Sequence, residues 1–144
     1  PETSEVFSAE RMIAQAREGL YGPSSFRAAP AGFQEKHFTP EDNKFRIKPE
    51  LRKMVSFDAT NLLHCREAPH LANLDVIFCR NVIIYFSMEA KRRVVENFYH
   101  LLNPGGHLLL GHSESLMSVS TRFELWHLKN DLVYRKPVEE KGSS

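Results

Sequence analysis

Between positions 73 and 86 the chain reads NLDVIFCRNVIIYF. The apolar run at 76–79 has the length of a buried strand, and it stops at the polar pair Arg80-Asn81 before a second apolar run at 82–86. In an open parallel sheet the ligand sits in the crevice beyond the carboxyl ends of the strands, so polar residues just after a buried strand are site candidates. Arg80, Asn81 and Tyr85 are those candidates here.

Downstream of this stretch the pattern predicts the rest of an α/β sheet. Ser87 is placed as the N-cap of a helix whose buried stripe is Val94, Val95, Phe98, Leu101 and Leu102, leaving Arg92 and Arg93 on a solvated face. Asn103-Pro104-Gly105-Gly106 stops that helix, because proline cannot continue it and the glycines supply positive φ. A second buried strand is expected at 107–111, and Leu108, Leu109 and Leu110 in succession imply that both of its faces are covered. Residues 123–127 and 131–135 have strand composition around 128–130, which predicts an antiparallel terminal hairpin, and 137–144 is a polar tail.

Upstream the pattern is weaker. Residues 1–7 read as the remnant of a strand, and a helix is expected to begin at Ser8, carrying Met12, Ile13, Ala16 and Leu20 on its apolar side and ending at Gly19 and Gly22-Pro23. The stretch 23–43 is irregular, pinned by Phe26, Phe33 and Phe38. Residues 45–48 and 54–57 alternate at period two, predicting small antiparallel strands joined by a Pro-Glu-Leu-Arg turn or short helix. Asn61 then stands after the strand at 54–57 as Asn81 stands after its own, a second candidate site residue, and 64–74 reads as a surface loop.

Composition narrows the function. The length of 144 residues suits one domain, and 42% hydrophobic with 26% charged residues is ordinary globular composition. A net charge of +1 with interspersed signs gives no patch for nucleic acid or a membrane surface, and no apolar run approaches the roughly 18 residues of a membrane helix. Cys65 and Cys79 show neither C-x-x-C nor metal spacing and read as reduced buried thiols, as expected of a cytoplasmic protein. His107, His112 and Glu114 do not make a metal site, since the two histidines flank a five-residue strand and nothing supplies a third ligand at known spacing, and no G-x-S-x-G elbow makes a nucleophile of Ser113. GHSES at 111–115 is therefore read as a turn that caps neighbouring backbone groups.

The combination of NLL at 61–63, CRNVIIYF, LLNPGG and HLLLGHSESL resembles the chemotaxis receptor methyltransferases, the CheR family of protein-glutamate O-methyltransferases, from about residue 8 to about residue 136. The resemblance implies an α/β fold: an incomplete Rossmann-like class I methyltransferase sheet with a C-terminal antiparallel hairpin and a small antiparallel β-subdomain. The domain would span 1–136 and the subdomain 38–57. It implies S-adenosylmethionine as cofactor, S-adenosylhomocysteine as product, and a methyl ester on a receptor glutamate. Asn61 and Leu62 match the family's adenine-side contact, while Arg80 and Asn81, with Val82, match the part bordering the methionine and ribose end. Tyr85 matches the tyrosine beside the transferred methyl.

The family's Gly-Glu-Glu-Pro-Tyr loop, its Thr-Asp-Ile strand and its amino-terminal helical domain have no counterpart in this sequence, with Glu5 at best a displaced stand-in for the ribose acid. Since the absent first strand is central in the family's order, a gap in the sheet is expected, and the chain is read as carrying the carboxyl-terminal half of the site. The resemblance further implies that the small subdomain contacts the cytoplasmic domain of a chemoreceptor. An exposed edge strand at 45–48 would accept an added strand, and the short 40–43 turn favours docking without a receptor tail. Two functional classes are open: a chemoreceptor-type glutamate methyltransferase domain, or a degenerate, non-catalytic protein-binding module. An element-swapped homodimer is a third arrangement in which cofactor binding would emerge.

Overall fold

The computed structural model describes residues 2–129 and 132–138, with side chains from residue 9 onward. The chain divides into two compact units, residues 1–59 and 60–144.

In the first unit, α1 (Glu2–Glu18) runs through the segment where a strand remnant was expected. Nothing in ETSEVF breaks a helix. Gly19 closes it at φ +71, its N–H donating to the carbonyl of Gln15 at 3.0 Å. Met12, on the apolar side of the helix, is exposed. Next in order are β1 (Leu20–Tyr21), a 3₁₀ turn (Pro23–Phe26), α2 (Phe33–His37), β2 (Phe38–Glu41), β3 (Lys44–Ile47) and α3 (Pro49–Arg52).

The three strands are antiparallel in the order β1-β3-β2. Asp42 and Asn43 lie at φ 44 and φ 62, the left-handed pair that a two-residue hairpin between β2 and β3 requires. Phe26 meets Phe38 and Phe45 edge-on, with ring centroids 4.8 and 5.3 Å apart, which makes it the anchor its isolation in the sequence suggested. Two expectations are corrected here. β3, which holds most of the expected edge strand at 45–48, is central, with Arg46 opposite both Leu20 and Thr39; the edges are β1 and β2. Residues 54–57 form no strand. Arginine side chains occupy that backbone instead: Arg17 donates to Phe57 O at 2.9 Å, and Arg52 donates to Val55 O at 3.0 Å.

The second unit carries a 3₁₀ turn (Leu62–Glu67), β4 (Leu74–Cys79), a short 3₁₀ turn (Ile83–Tyr85), α4 (Met88–Leu101), β5 (Leu102–Leu110), β6 (Glu124–His127) and β7 (Leu132–Arg135). Its sheet has the order β4-β5-β7-β6, with β4 and β5 parallel and the other pairs antiparallel. This is the expected α/β arrangement, a βαβ unit extended by a terminal hairpin. Asn130 and Asp131 of that hairpin, and 139–144 of the tail, lie outside the described residues.

α4 follows its predicted cap and stripe except at Leu102, which is buried but extended and opens β5 instead of closing the helix. Ser87 Oγ accepts the N–H of Ala90 at 3.2 Å, and Val94, Val95, Phe98 and Leu101 are buried. They pack with Cys79, Leu108 and Leu110 in one core. Val94, Val95 and Leu108 are fully buried, each contributing roughly 1.5–3 kcal/mol. Beyond the helix, Lys136 Nζ donates to the carbonyls of Tyr99 and Leu102 at 2.8 Å each, a cation on the carbonyls at the helix's negative end.

Three details differ from expectation. β5 begins at Leu102, and Asn103-Pro104-Gly105-Gly106 is a bulge within it: Leu102 lies opposite Leu74 and His107 opposite Val76. Gly105 carries the bulge at φ +82. Among the described residues the sheet has no gap: β4 is its outermost strand, so the expected break is an open flank instead of a hole. Among the described residues α4 covers one face; on the other, Val76 is 46% and Phe78 72% exposed, so the run of leucines in β5 did not report two covered faces.

Candidate functional site

At the carboxyl end of β4 the backbone turns sharply. Asn81 lies at φ +59, a left-handed conformation that asparagine adopts more readily than most residues. Three N–H groups converge there on the Glu114 carboxylate: Oε2 accepts from Asn81 at 2.8 Å and Gly111 at 2.7 Å, and Oε1 accepts from Val82 at 3.1 Å. Such a concavity of backbone N–H groups is an anion nest, and here the anion belongs to the protein. Glu114 is only 9% exposed. Burial raises its pKa, but the N–H groups of Gly111, Asn81, Val82 and Ile84 together outweigh burial and hold it below the ordinary carboxylate value.

Gly111 is required by the same packing. A Cβ on it would overlap Asn81 Oδ1 and stand 2.9 Å from Glu114 Oε2. Beneath the turn, Ile83 is buried and Cys79 closes the strand, its thiol pushed up to about 11 by burial and by the Glu114 charge. Above it, Arg80, Asn81, Val82 and Tyr85 are exposed, Tyr85 at 82%. The structure thus brings these four predicted residues together on one turn.

Asn61 does not follow a strand, as the reading of 54–57 required. It is the N-cap of the Leu62–Glu67 turn, its Oδ1 accepting the N–H of Leu63 at 3.0 Å. That turn is tied to α4 by Asn97, which is 7% exposed and whose Nδ2 donates to Leu62 O at 3.0 Å and Leu63 O at 3.1 Å. Cys65 of this turn shares the core with Cys79 and Ile83, so the 61–67 and 80–85 turns rest on the same packed layer. Beside Gly111, a cleft of about 340 Å³ opens at the end of β5, lined by Leu110, His112, Lys129 and Tyr134 among others.

Two residues that hold these turns were not among the predicted site residues. Asn97 left one signal, a polar residue set within the apolar run of α4. Glu114 was legible as part of a capping turn, and it does cap backbone groups, though across 33 positions of sequence.

The N–H groups of Asn81 and Val82 are occupied by Glu114, and what the two turns leave to solvent is side chains: exposed Asn61, Arg80, Asn81, Val82 and Tyr85, with Leu62 half-buried. Amides both donate and accept, which suits an adenine edge or an amino-acid head group, so the donor set fits part of an adenosyl amino-acid cofactor. Among the described residues no group of three or more His, Cys, Asp or Glu is placed to hold a metal ion, and no helix is long and apolar enough to cross a membrane.

Comparison with known proteins identifies the family. Residues 8–131 match the family model for the CheR methyltransferase, SAM (S-adenosylmethionine) binding domain. The chain is 37% identical over 134 residues to chemotaxis protein methyltransferase 2 of Vibrio cholerae, covering 92% of this chain and 46% of that protein. It is 32% identical over 126 residues to chemotaxis protein methyltransferase 1 of Pseudomonas aeruginosa, covering 86% and 45%. A probable biofilm formation methyltransferase, WspC, of the latter organism is 37% identical over 113 residues, covering 75% and 26%. The chain spans slightly under half the length of the two chemotaxis relatives. By this match, and by a βαβ sheet whose polar turn stands at the carboxyl end of β4, the chain belongs to the CheR methyltransferases, within their S-adenosylmethionine-binding domain.

Proposed function

We propose that this chain carries part of the site for S-adenosylmethionine-dependent methylation of glutamate side chains on chemoreceptors. The observation that carries the reading is the exposed turn at the end of β4, where Arg80, Asn81, Val82 and Tyr85 are presented together inside the matched family domain. In this reading Asn61 and Leu62 border the adenine, Arg80, Asn81 and Val82 border the ribose and methionine end, and Tyr85 stands by the transferred methyl. The bound cofactor supplies a methyl group already activated on a sulfonium, which an ionised glutamate carboxylate accepts without a general base. What the protein's residues contribute is alignment and exclusion of water.

The partner is the cytoplasmic domain of a chemoreceptor, met by the small antiparallel sheet, and the setting is cytoplasmic. Among the described residues both edges of that sheet, β1 and β2, have an unpaired flank that supports strand addition. The open flank of β4 favours a second arrangement in which strands are exchanged between two copies. Calorimetric titration with S-adenosylmethionine and S-adenosylhomocysteine tests the reading, with light scattering alongside. Saturable heat from the monomer supports a half-site that binds alone, and heat confined to a dimer supports exchange. No heat at millimolar ligand overturns the cofactor reading for this chain and leaves a non-catalytic protein-binding module.

A further inference from the structure

Glu114 lies within the fold, yet it is bonded to the turn that the proposed function uses. Each of its oxygens is engaged, Oε2 by Asn81 and Gly111 and Oε1 by Val82, and it is almost fully buried. A buried carboxylate is stable only where such donors replace its water, and in return it fixes the donors. Here they include the N–H of Asn81, a residue in a left-handed conformation, and of Gly111, whose missing Cβ makes room for the Asn81 amide oxygen.

We propose that Glu114 is a positioning residue for the cofactor, an internal anion that occupies the N–H nest at the end of β4 and thereby fixes the direction in which Asn81 presents its side chain. The inference rests on the proposed function in one respect, that the 80–85 turn meets the cofactor. It adds a specific consequence. The nest is closed to a carboxylate or phosphate from outside, so the turn grips its ligand through side chains and not through backbone N–H groups.

The test uses the whole chain with Glu114→Gln, Gly111→Ala and Lys136→Met. Gln keeps the shape of Glu114 but removes its charge and turns a donor toward the nest; Ala at 111 keeps the charge and instead crowds both Asn81 Oδ1 and Glu114 Oε2 with a Cβ. Lys136→Met removes a stabilising contact at the far end of α4. Amide hydrogen exchange and the affinity for S-adenosylhomocysteine are measured for each. In Glu114→Gln, protection of the 81, 82 and 111 amides is expected to fall by about tenfold or more while that of Val94 and Val95 holds, and affinity to fall by about tenfold, the scale of a lost hydrogen bond to a charged group. Gly111→Ala should lose affinity similarly. Lys136→Met should lower the melting temperature and leave both readouts unchanged, which separates positioning from general stability. Unchanged protection at 81 and 82 in Glu114→Gln overturns the proposal, as does lost protection with wild-type affinity. A wild-type chain that binds no ligand overturns the proposed function instead, and the exchange data still decide whether Glu114 fixes the turn.

Discussion

The backbone N–H of Asn81 meets the carboxylate of Glu114 at 2.8 Å across 33 positions of sequence. This bond stitches the turn after β4 to the turn after β5. Burial disfavours the charge on Glu114, but the N–H groups around it prevail and its pKa in the folded chain is depressed. The stability it contributes is therefore fully present above the unfolded carboxylate pKa of about 4.3, and is lost as pH falls through the lower folded value. Urea unfolding at a series of pH values should show Glu114→Gln less stable than wild type by roughly 1–3 kcal/mol at neutral pH, the difference shrinking only below about pH 4. A difference that stays constant down to about pH 2 would contradict this.

Asn97 makes the corresponding tie on the other turn. Its replacement by Ala leaves the carbonyls of Leu62 and Leu63 without their donor in a part-buried place. A loss of roughly 1–3 kcal/mol is expected, seen as a lower melting temperature of the second unit. Loss below about 0.5 kcal/mol, the range of ordinary surface changes, would mean that water takes over the bonds.

The thiols should be inert in the native state. Cys65 is raised by burial, and Cys79 is pushed up to about 11. Both are buried, so a thiol reagent at about pH 8 finds little thiolate and little access. Labelling should be slow in buffer and rapid in denaturant; rapid labelling of native protein would show that the core opens readily.

The open flank of β4 bears Val76 and Phe78 on a sheet face without a cover among the described residues. Exposed apolar edge strands invite association. Phe78→Lys should reduce concentration-dependent light scattering while changing stability by no more than about 0.5 kcal/mol. An unchanged scattering curve would place any association elsewhere.

These elements differ in how far the sequence betrays them. α4 was legible from its cap to its last buried residue, because a cap and a 3.6-residue stripe are local signals. β4, with Arg80 and Asn81 just beyond it, was legible for the same reason. The 54–57 segment was not: its alternation suits a strand, but the carbonyls of Val55 and Phe57 are taken by Arg52 and Arg17, a long-range competition no local pattern contains. The order β1-β3-β2 was hidden likewise, since a two-residue strand gives almost no signal of its own. Asn61 was found as a candidate, but with the wrong neighbour, a strand where there is a cap.

Asn81 illustrates what a left-handed φ implies for the choice of residue. Gly at 81 would keep the backbone conformation and lose the amide; Gln would keep an amide but strain the backbone by about 1–2 kcal/mol. Asn81→Gly should leave stability near wild type and weaken cofactor binding by roughly 1–3 kcal/mol, whereas Asn81→Gln should lower stability as well. Equal binding by wild type and Asn81→Gly would remove the amide from the site. Position 81 thus has a vocabulary of nearly one word, set by backbone geometry and ligand chemistry together.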